Sequence, residues 1–244
     1  MFQINLRKLS ATSSTNNELK KLLEVNKLKP GDGVWTLNQT DGHGQSESVW
    51  QAESNNHLAY SVYSYFDCLD SKWIYSINSA SSIAVLKTLE AFNVKDLAIK
   101  WPNDILSGKK KICGILAENQ IKGNKIKSII GIGINLYENS FIDLPKATSV
   151  YIETKKKPSV NIFIENLSQN LKFYMSFCIN SKINELNKMF HKKLFYWKQN
   201  ITIKKNGKIF QAFLEKVNLN GLIELKFENG ENRCFQPKEI KIIY

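Results

Sequence analysis

Arginine is almost missing from this chain. Arg7 and Arg233 are the only two in 244 residues, yet the formal net charge is +12. Proteins that read base edges or grip phosphate backbones lean on the bidentate guanidinium fork, so a dedicated nucleic-acid module is disfavoured. The lysines are scattered, with short clusters at Lys109–Lys111 and Lys155–Lys157, and a compositional bias toward lysine accounts for the charge. Cysteine is also scarce. Cys68, Cys113, Cys178 and Cys234 form no CxxC pair, and His43, His57 and His191 show no ligand spacing. A disulfide framework and a structural zinc site are therefore disfavoured. Cys113 and Cys178 sit in apolar contexts and read as small buried hydrophobes. No apolar run approaches the roughly 18–20 residues that span a bilayer, and Met1–Lys8 lacks a signal-peptide core. A cytoplasmic protein with reduced thiols and no membrane contact is expected. The length suits one large domain plus a small appendage.

The apolar pattern divides into recognisable elements. Leu9 to Leu23 reads as a loop entering a helix, with Ser14-Thr15 as a cap and Leu19, Leu22 and Leu23 as its stripe. Gly33 to Leu37 and Leu58 to Phe66 read as strands, separated by the long polar segment Gln39 to Asn56. Helical spacing returns over Ser76 to Phe92. Leu97–Ile99, Ile112–Glu118 and Ile129–Leu136 then read as strands of a mixed sheet. Asn161 to Tyr196 is a helical region that breaks near Asn180-Ser181. After Trp197 the texture changes to short strands joined by Asn206-Gly207, Asn220-Gly221 and Asn229-Gly230, which are strong hairpin signals. These predict a small β-barrel over residues 198–244, docked on a main body over residues 1–197.

Polar groups collect at the ends of the apolar runs. Ser14-Thr15-Asn16 reads first as a helix cap. Gln39-Thr40-Asp41-Gly42-His43-Gly44-Gln45 is a glycine-containing loop able to wrap an anion with its N–H groups. In Lys100-Trp101-Pro102-Asn103-Asp104 the proline ends a strand, and the cation, amide and carboxylate around it suit phosphate and amine chemistry. Lys111-Ile112-Cys113-Gly114-Ile115-Leu116-Ala117-Glu118 opens a strand with a cation. Gly131-Ile132-Gly133-Ile134-Asn135 is a strand whose glycines allow close approach. Ala147-Thr148-Ser149-Val150 follows it.

The order and spacing of these motifs resemble biotin–protein ligases, which activate biotin with ATP and attach it to a carrier lysine. The resemblance covers nearly the whole chain. It implies an α+β fold: a mixed β-sheet flanked by helices, like class II aminoacyl-tRNA synthetases, with the small C-terminal β-barrel. Lys111 would be the central catalytic cation and Asp104 would orient the incoming amine. Biotin would meet Ser14, Thr15, Asn16, Gln39, Gly42, His43, Lys111, Gly114, Leu116 and Gly131. ATP and the adenylate would meet His43, Gln45, Trp50, Lys100, Asn103 and Asn135. Magnesium is expected to arrive on the ATP phosphates. The partner would be the biotin carboxyl carrier protein or domain of a carboxylase, served by a monomer or homodimer without DNA binding. The Ser-Thr-Asn motif arrives at Ser14, which leaves no room for the winged helix-turn-helix of some relatives and suggests a monofunctional ligase.

The chain departs from the family in its loop. His43 stands where a cation is usual, and Glu47 where a glycine is usual. Lys109 and Lys110 adjoin Lys111, and the glycine three residues onward favours Lys111 as the catalytic one. A lipoate or octanoate ligase of the same fold, and a basic nucleic-acid-binding module without catalysis, are the alternatives.

Overall fold

In the computed structural model, residues 3–45, 49–50, 55–67, 69–180 and 182–244 are described. The readings of Glu47, Cys68, Ser181 and most of residues 46–54 lie outside them. Seven strands form the main sheet in the order β1-β2-β5-β9-β8-β7-β6. These are β1 (Asn5–Lys8), β2 (Asp32–Thr36), β5 (His57–Phe66), β6 (Leu97–Lys100), β7 (Asp104–Ser107), β8 (Lys110–Lys122) and β9 (Lys125–Asn135). The pair β1–β2 is parallel and the others are antiparallel, which makes the sheet mixed. A two-stranded ribbon, β3 (Gly42–His43) with β4 (Val49–Trp50), stands apart from it.

The two faces of this sheet carry residues of different size. On one face Tyr60, Val62, Ile130, Ile132, Ile134 and Ile115 are buried in the main core with helix α2 (Tyr75–Ala91). Helices α4 (Val160–Ile179) and α5 (Ile183–Lys193) pack on α2. The helical break near Asn180 falls where it was expected. On the other face helix α1 (Thr15–Glu24) buries Leu19 and Leu23 against Val34, Tyr63 and Ile129. Continuing along that face from Tyr63 and Ile129, the residues shrink to Ser61, Ala59, Gly131 and Gly133, because side chains alternate with a period of two. Ser61 pairs with Gly131 and Ala59 with Gly133, while Gly114 lies beside Gly133. A sheet face floored by such small residues cannot fill itself, and a cavity opens there.

The last five strands are β10 (Asn200–Lys205), β11 (Lys208–Val217), β12 (Ile223–Lys226), β13 (Asn232–Phe235) and β14 (Lys241–Ile243). They form one antiparallel sheet in the order β13-β12-β11-β10-β14. The expected hairpins are all present, but the sheet stays open where a closed barrel was expected: among the described residues no ladder joins β13 to β14. Those strands have only four and three residues, and Pro237, lacking an N–H, cannot extend β13.

This sheet docks firmly on the main body. Its Ile201, Leu214, Val217 and Ile223 belong to the same buried cluster as Trp101 and Leu194. Trp101 Nε1 donates to the Gly221 carbonyl at 2.8 Å. The backbone N–H of Val217 donates to His191 Nε2 at 3.0 Å.

Candidate functional site

Ser14 caps α1 as its sequence suggests, its hydroxyl accepting from Asn17 N. That cap places Thr15 and Asn16 at the helix start, above the small-residue floor. Asn16 Nδ2 donates to Glu118 Oε2 at 2.8 Å, and Lys20 Nζ lies 2.7 Å from the other carboxylate oxygen. Ser61 Oγ lies 2.6 Å from Asn16 Oδ1 and 2.7 Å from Thr15 Oγ1. Gln39 Oε1 accepts from Thr15 N at 2.9 Å. A Cβ at Gly131 would fall 2.3 Å from Asn16 Oδ1, so glycine is required for the amide to sit there. Ser61 and Glu118 were missed as site residues. A serine hydroxyl among the apolar and aromatic residues of β5, which also carries Ser64, was the available signal for Ser61.

At the other end of the cavity stands a carboxylate with two lysines. Asp104 opens β7, opposite Lys100 on β6 and Gly114 on β8. Its Oδ1 lies 2.6 Å from Lys111 Nζ and its Oδ2 lies 3.3 Å from Lys100 Nζ. Lys111 and Gly114 are three residues apart, and a regular strand would send them to opposite faces. The β7–β8 ladder, however, slips between Ile105 and Leu106, a bulge that re-aims the side chain. Lys111 Nζ thereby comes to 3.4 Å from where a Gly114 Cβ would be. The backbone of Lys111 is clamped on its other side, donating to Lys146 O and accepting from Thr148 N. The Ala147-Thr148-Ser149 motif thus holds the lysine strand, and Ser149 caps the short helix α3 (Val150–Thr154).

Trp50 joins these two groups. Its ring would contact a Cβ at Gly133 at 2.8 Å and at Gly114 at 3.0 Å, so it lies flat on the glycine pair. Lys111 Nζ is 5.4 Å from its centroid, within cation–π range. Trp50 Nε1 is buried and has no hydrogen-bond partner among the described residues. A buried N–H without an acceptor is costly.

Trp50 and Lys111 line two neighbouring cavities. The first is about 230 Å³ and is lined by Ser14, Thr15, Asn16, Gln39, His43, Gln45, Asn103, Asp104, Gly114, Leu116 and Gly131 as well. The second, about 310 Å³, adds Asn135, Lys146 and Tyr244. Most of the expected residues therefore meet in one place. Gly42 packs beneath Gln39 and Trp50 and lies outside both linings. Lys100 reaches Asp104 and the Tyr244 ring, 5.1 Å away. Asn103 donates to the Ile115 carbonyl at 2.8 Å and Asn135 to that of Thr148 at 2.9 Å, so both amides brace backbone at the cavity edge. His43 is half exposed, 3.5 Å from Asp41. Lys109 is in an exposed turn.

Electrostatics further narrow the chemistry. Burial pushes the Cys113 thiol far up, against the opposing pull of Lys111, so this cysteine is no nucleophile. Burial also raises the Tyr244 hydroxyl, and Asp104 adds to the effect. Among the described residues no group of three or more His, Cys, Asp or Glu side chains is placed to hold a metal ion. No described helix is long and apolar enough to cross a membrane.

The chain is similar to several known proteins. The family model described as "Biotin/lipoate A/B protein ligase family" matches residues 9–135. The "Bifunctional ligase/repressor BirA" of Bacillus spizizenii is 35% identical over 133 residues, which are 54% of this chain and 39% of that protein. The "Biotin--[acetyl-CoA-carboxylase] ligase" of Paracoccus denitrificans is 30% identical over 138 residues, covering 52% of this chain and 53% of its own length. The matched segments thus span about two fifths to one half of these relatives. Among solved structures, the biotin protein ligase of Aquifex aeolicus in complex with biotin and ATP superposes with a TM-score of 0.80. It is 20% identical, and the match covers 98% of each chain; at that identity the likeness speaks for the fold.

Proposed function

Because the chain belongs to the biotin/lipoate A/B protein ligase family, we propose that it activates biotin with ATP. It then transfers biotin to a lysine of a carboxylase's carrier protein or domain. The observation that carries this reading is the pair of cavities meeting at Lys111 and Trp50. The first has the hydroxyl and amide floor that a ureido ring requires. The second lies across the lysine, where a nucleotide would extend.

Joining a carboxylate to the α-phosphate of ATP brings two anions together. The Lys111 ammonium at the junction relieves that repulsion and stabilises the charge that gathers in the transition state. The biotin carboxylate oxygen attacks the α-phosphorus and pyrophosphate leaves, giving biotinyl-5′-AMP. The buried Trp50 N–H, which has no acceptor among the described residues, is open to a ligand oxygen at the same junction. In the second half-reaction the carrier's lysine amine attacks the acyl carbonyl and AMP departs. Asp104, beside Lys111 at the cavity mouth, orients that amine. Ser14, Thr15, Asn16, Gln39, Leu116 and Gly131 form the head-group wall; Gln45, Lys100 and Asn135 stand toward the nucleotide. Magnesium would come with the ATP phosphates; among the described residues Asp104 lines the first cavity and Asp143 the second, the carboxylates nearest to where it would sit. Residues 198–244 act as an appended unit on the catalytic body, and the enzyme works in the cytoplasm.

The family description also admits lipoate. A dithiolane ring has neither N–H nor carbonyl, and would leave the Thr15 hydroxyl oxygen that lines the cavity unanswered, a cost that separates such substrates. Incubating the protein with ATP, magnesium and either acid, and following pyrophosphate, tests this. Release with biotin and not with lipoate is expected. Release with lipoate alone would change the substrate, and none with either would remove the ligase reading.

A further inference from the structure

We propose that Glu118 sets the hydrogen-bond polarity of the cavity floor, so that Thr15 meets the ligand as an acceptor and selects a head group bearing N–H donors. The proposal rests on the biotin reading and adds the element that chooses between ring chemistries.

The Asn16 amide has two ends, and its surroundings tell them apart. Glu118 Oε2 lies 2.8 Å from Nδ2, and the Leu116 carbonyl 3.5 Å from the same nitrogen. Both are acceptors, so the amide nitrogen stays on their side and Oδ1 faces Ser61. Oδ1 can only accept; the single hydroxyl proton of Ser61 therefore crosses the 2.6 Å to Asn16. The 2.7 Å contact between Ser61 Oγ and Thr15 Oγ1 then needs a proton, and Thr15 must supply it. Gln39 Oε1 is the other partner for that proton, at a longer 3.2 Å, and it already accepts from Thr15 N. With its proton committed inward, Thr15 Oγ1 offers lone pairs to the cavity.

Turning the Asn16 amide over would reverse every step. Nδ2 would donate to Ser61 and Ser61 to Thr15, which takes up a lone pair of Thr15 Oγ1 and releases its proton toward Gln39 Oε1 or the cavity. Glu118 thus acts as a positioning residue, through Asn16 and Ser61. Lys20, 2.7 Å from Glu118 Oε1, holds the carboxylate in place.

Biotin titrations by calorimetry on the full chain test this, with Glu118→Gln and the double variant Lys20→Ala/Glu118→Gln beside the wild type. Glutamine has one oxygen; Lys20 takes it, Nε2 faces Asn16, and the amide turns over. Biotin affinity is expected to fall about ten- to a hundredfold, the size of one buried polar mismatch. Removing Lys20 as well frees that oxygen for Asn16, and affinity is expected to recover most of the loss. If Glu118 served only to support the fold, the second substitution would not restore binding. Wild-type affinity in Glu118→Gln, or a double variant no tighter than the single one, would overturn the proposal while leaving the ligase reading intact. A wild-type protein that binds no biotin would overturn both.

Discussion

Lys111 is fixed by its neighbours before any ligand arrives, which makes its removal informative. Its ammonium is shared between Asp104 at 2.6 Å and the Trp50 face, while its backbone is clamped to residues 146 and 148. Lys111→Ala keeps the clamp and loses the cation. The expected outcome is a loss of adenylate formation of about a hundredfold or more, the scale seen when one charge-stabilising group is deleted. Lys109→Ala, in an exposed turn, is expected to leave it nearly unchanged. Pyrophosphate release measured for the two variants decides the assignment, and the reverse result would move it. The loop makes a second expectation. His43 is half exposed and lies 3.5 Å from Asp41, and an imidazole lacks the bidentate fork and permanent charge of a guanidinium. His43→Arg is therefore expected to slow escape of the adenylate into water, read as AMP formation without carrier; an unchanged rate would count against it. Of the side chains that meet here, most of those inside contiguous motifs stood out in the sequence. Ser61 and Glu118 were not assigned, because what they do depends on cross-strand neighbours, and Lys146 and Tyr244 enter from segments with no motif of their own.

At the scale of elements the sheet's two faces explain what could be read and what could not. Long apolar runs announced β5, β8 and β9 and the helices that cover them. The four-residue strands β1 and β7 were too short to show alternation, and the bulge that turns Lys111 into the cavity leaves no trace in a pattern of apolar residues. The glycines were visible as places of close approach, but not what approaches them. Trp50 lies on Gly114 and Gly133, and a Cβ at Gly133 would sit 2.8–3.1 Å from the indole ring. Gly133→Ala should therefore lift Trp50 from the floor without unfolding a sheet whose other face is untouched. Since Trp50 borders both cavities, the KM for biotin and the KM for ATP are both expected to rise, with the melting temperature shifted by only a few degrees, about the effect of 1 kcal/mol. A change confined to one substrate would show that the ring belongs to one cavity alone.

The whole molecule is held together at the seam between the sheet of β10–β14 and the main body, and one histidine makes that seam sensitive to acid. His191 on α5 accepts from Val217 N through Nε2 and meets the Asn187 carbonyl through Nδ1. Both contacts are satisfied only by the neutral ring with its proton on Nδ1. Burial lowers the pKa of His191, the nearby Lys216 and Lys198 push the same way, and the Asn187 carbonyl opposes them. A histidine whose folded pKa lies below its unfolded value of about 6.5 binds more protons when unfolded, so stability rises with pH across that interval. Its contribution is complete above about pH 6.5 and is lost as pH falls from there through the lowered folded value. The same seam supports the site: Trp101 bonds Gly221, and the Pro102 carbonyl between Trp101 and Asn103 accepts from Tyr75 and Asn78. Loosening the seam should therefore disturb the turn that carries Asp104 as well as stability. Between pH 7 and pH 5, above the range in which exposed carboxylates titrate, the melting temperature of the wild type is expected to fall, with pyrophosphate release declining beside it. His191→Gln can accept from Val217 N through its amide oxygen without titrating. In that variant the dependence over the same interval is expected to flatten, and an equal slope in both proteins would assign the acid sensitivity to other groups.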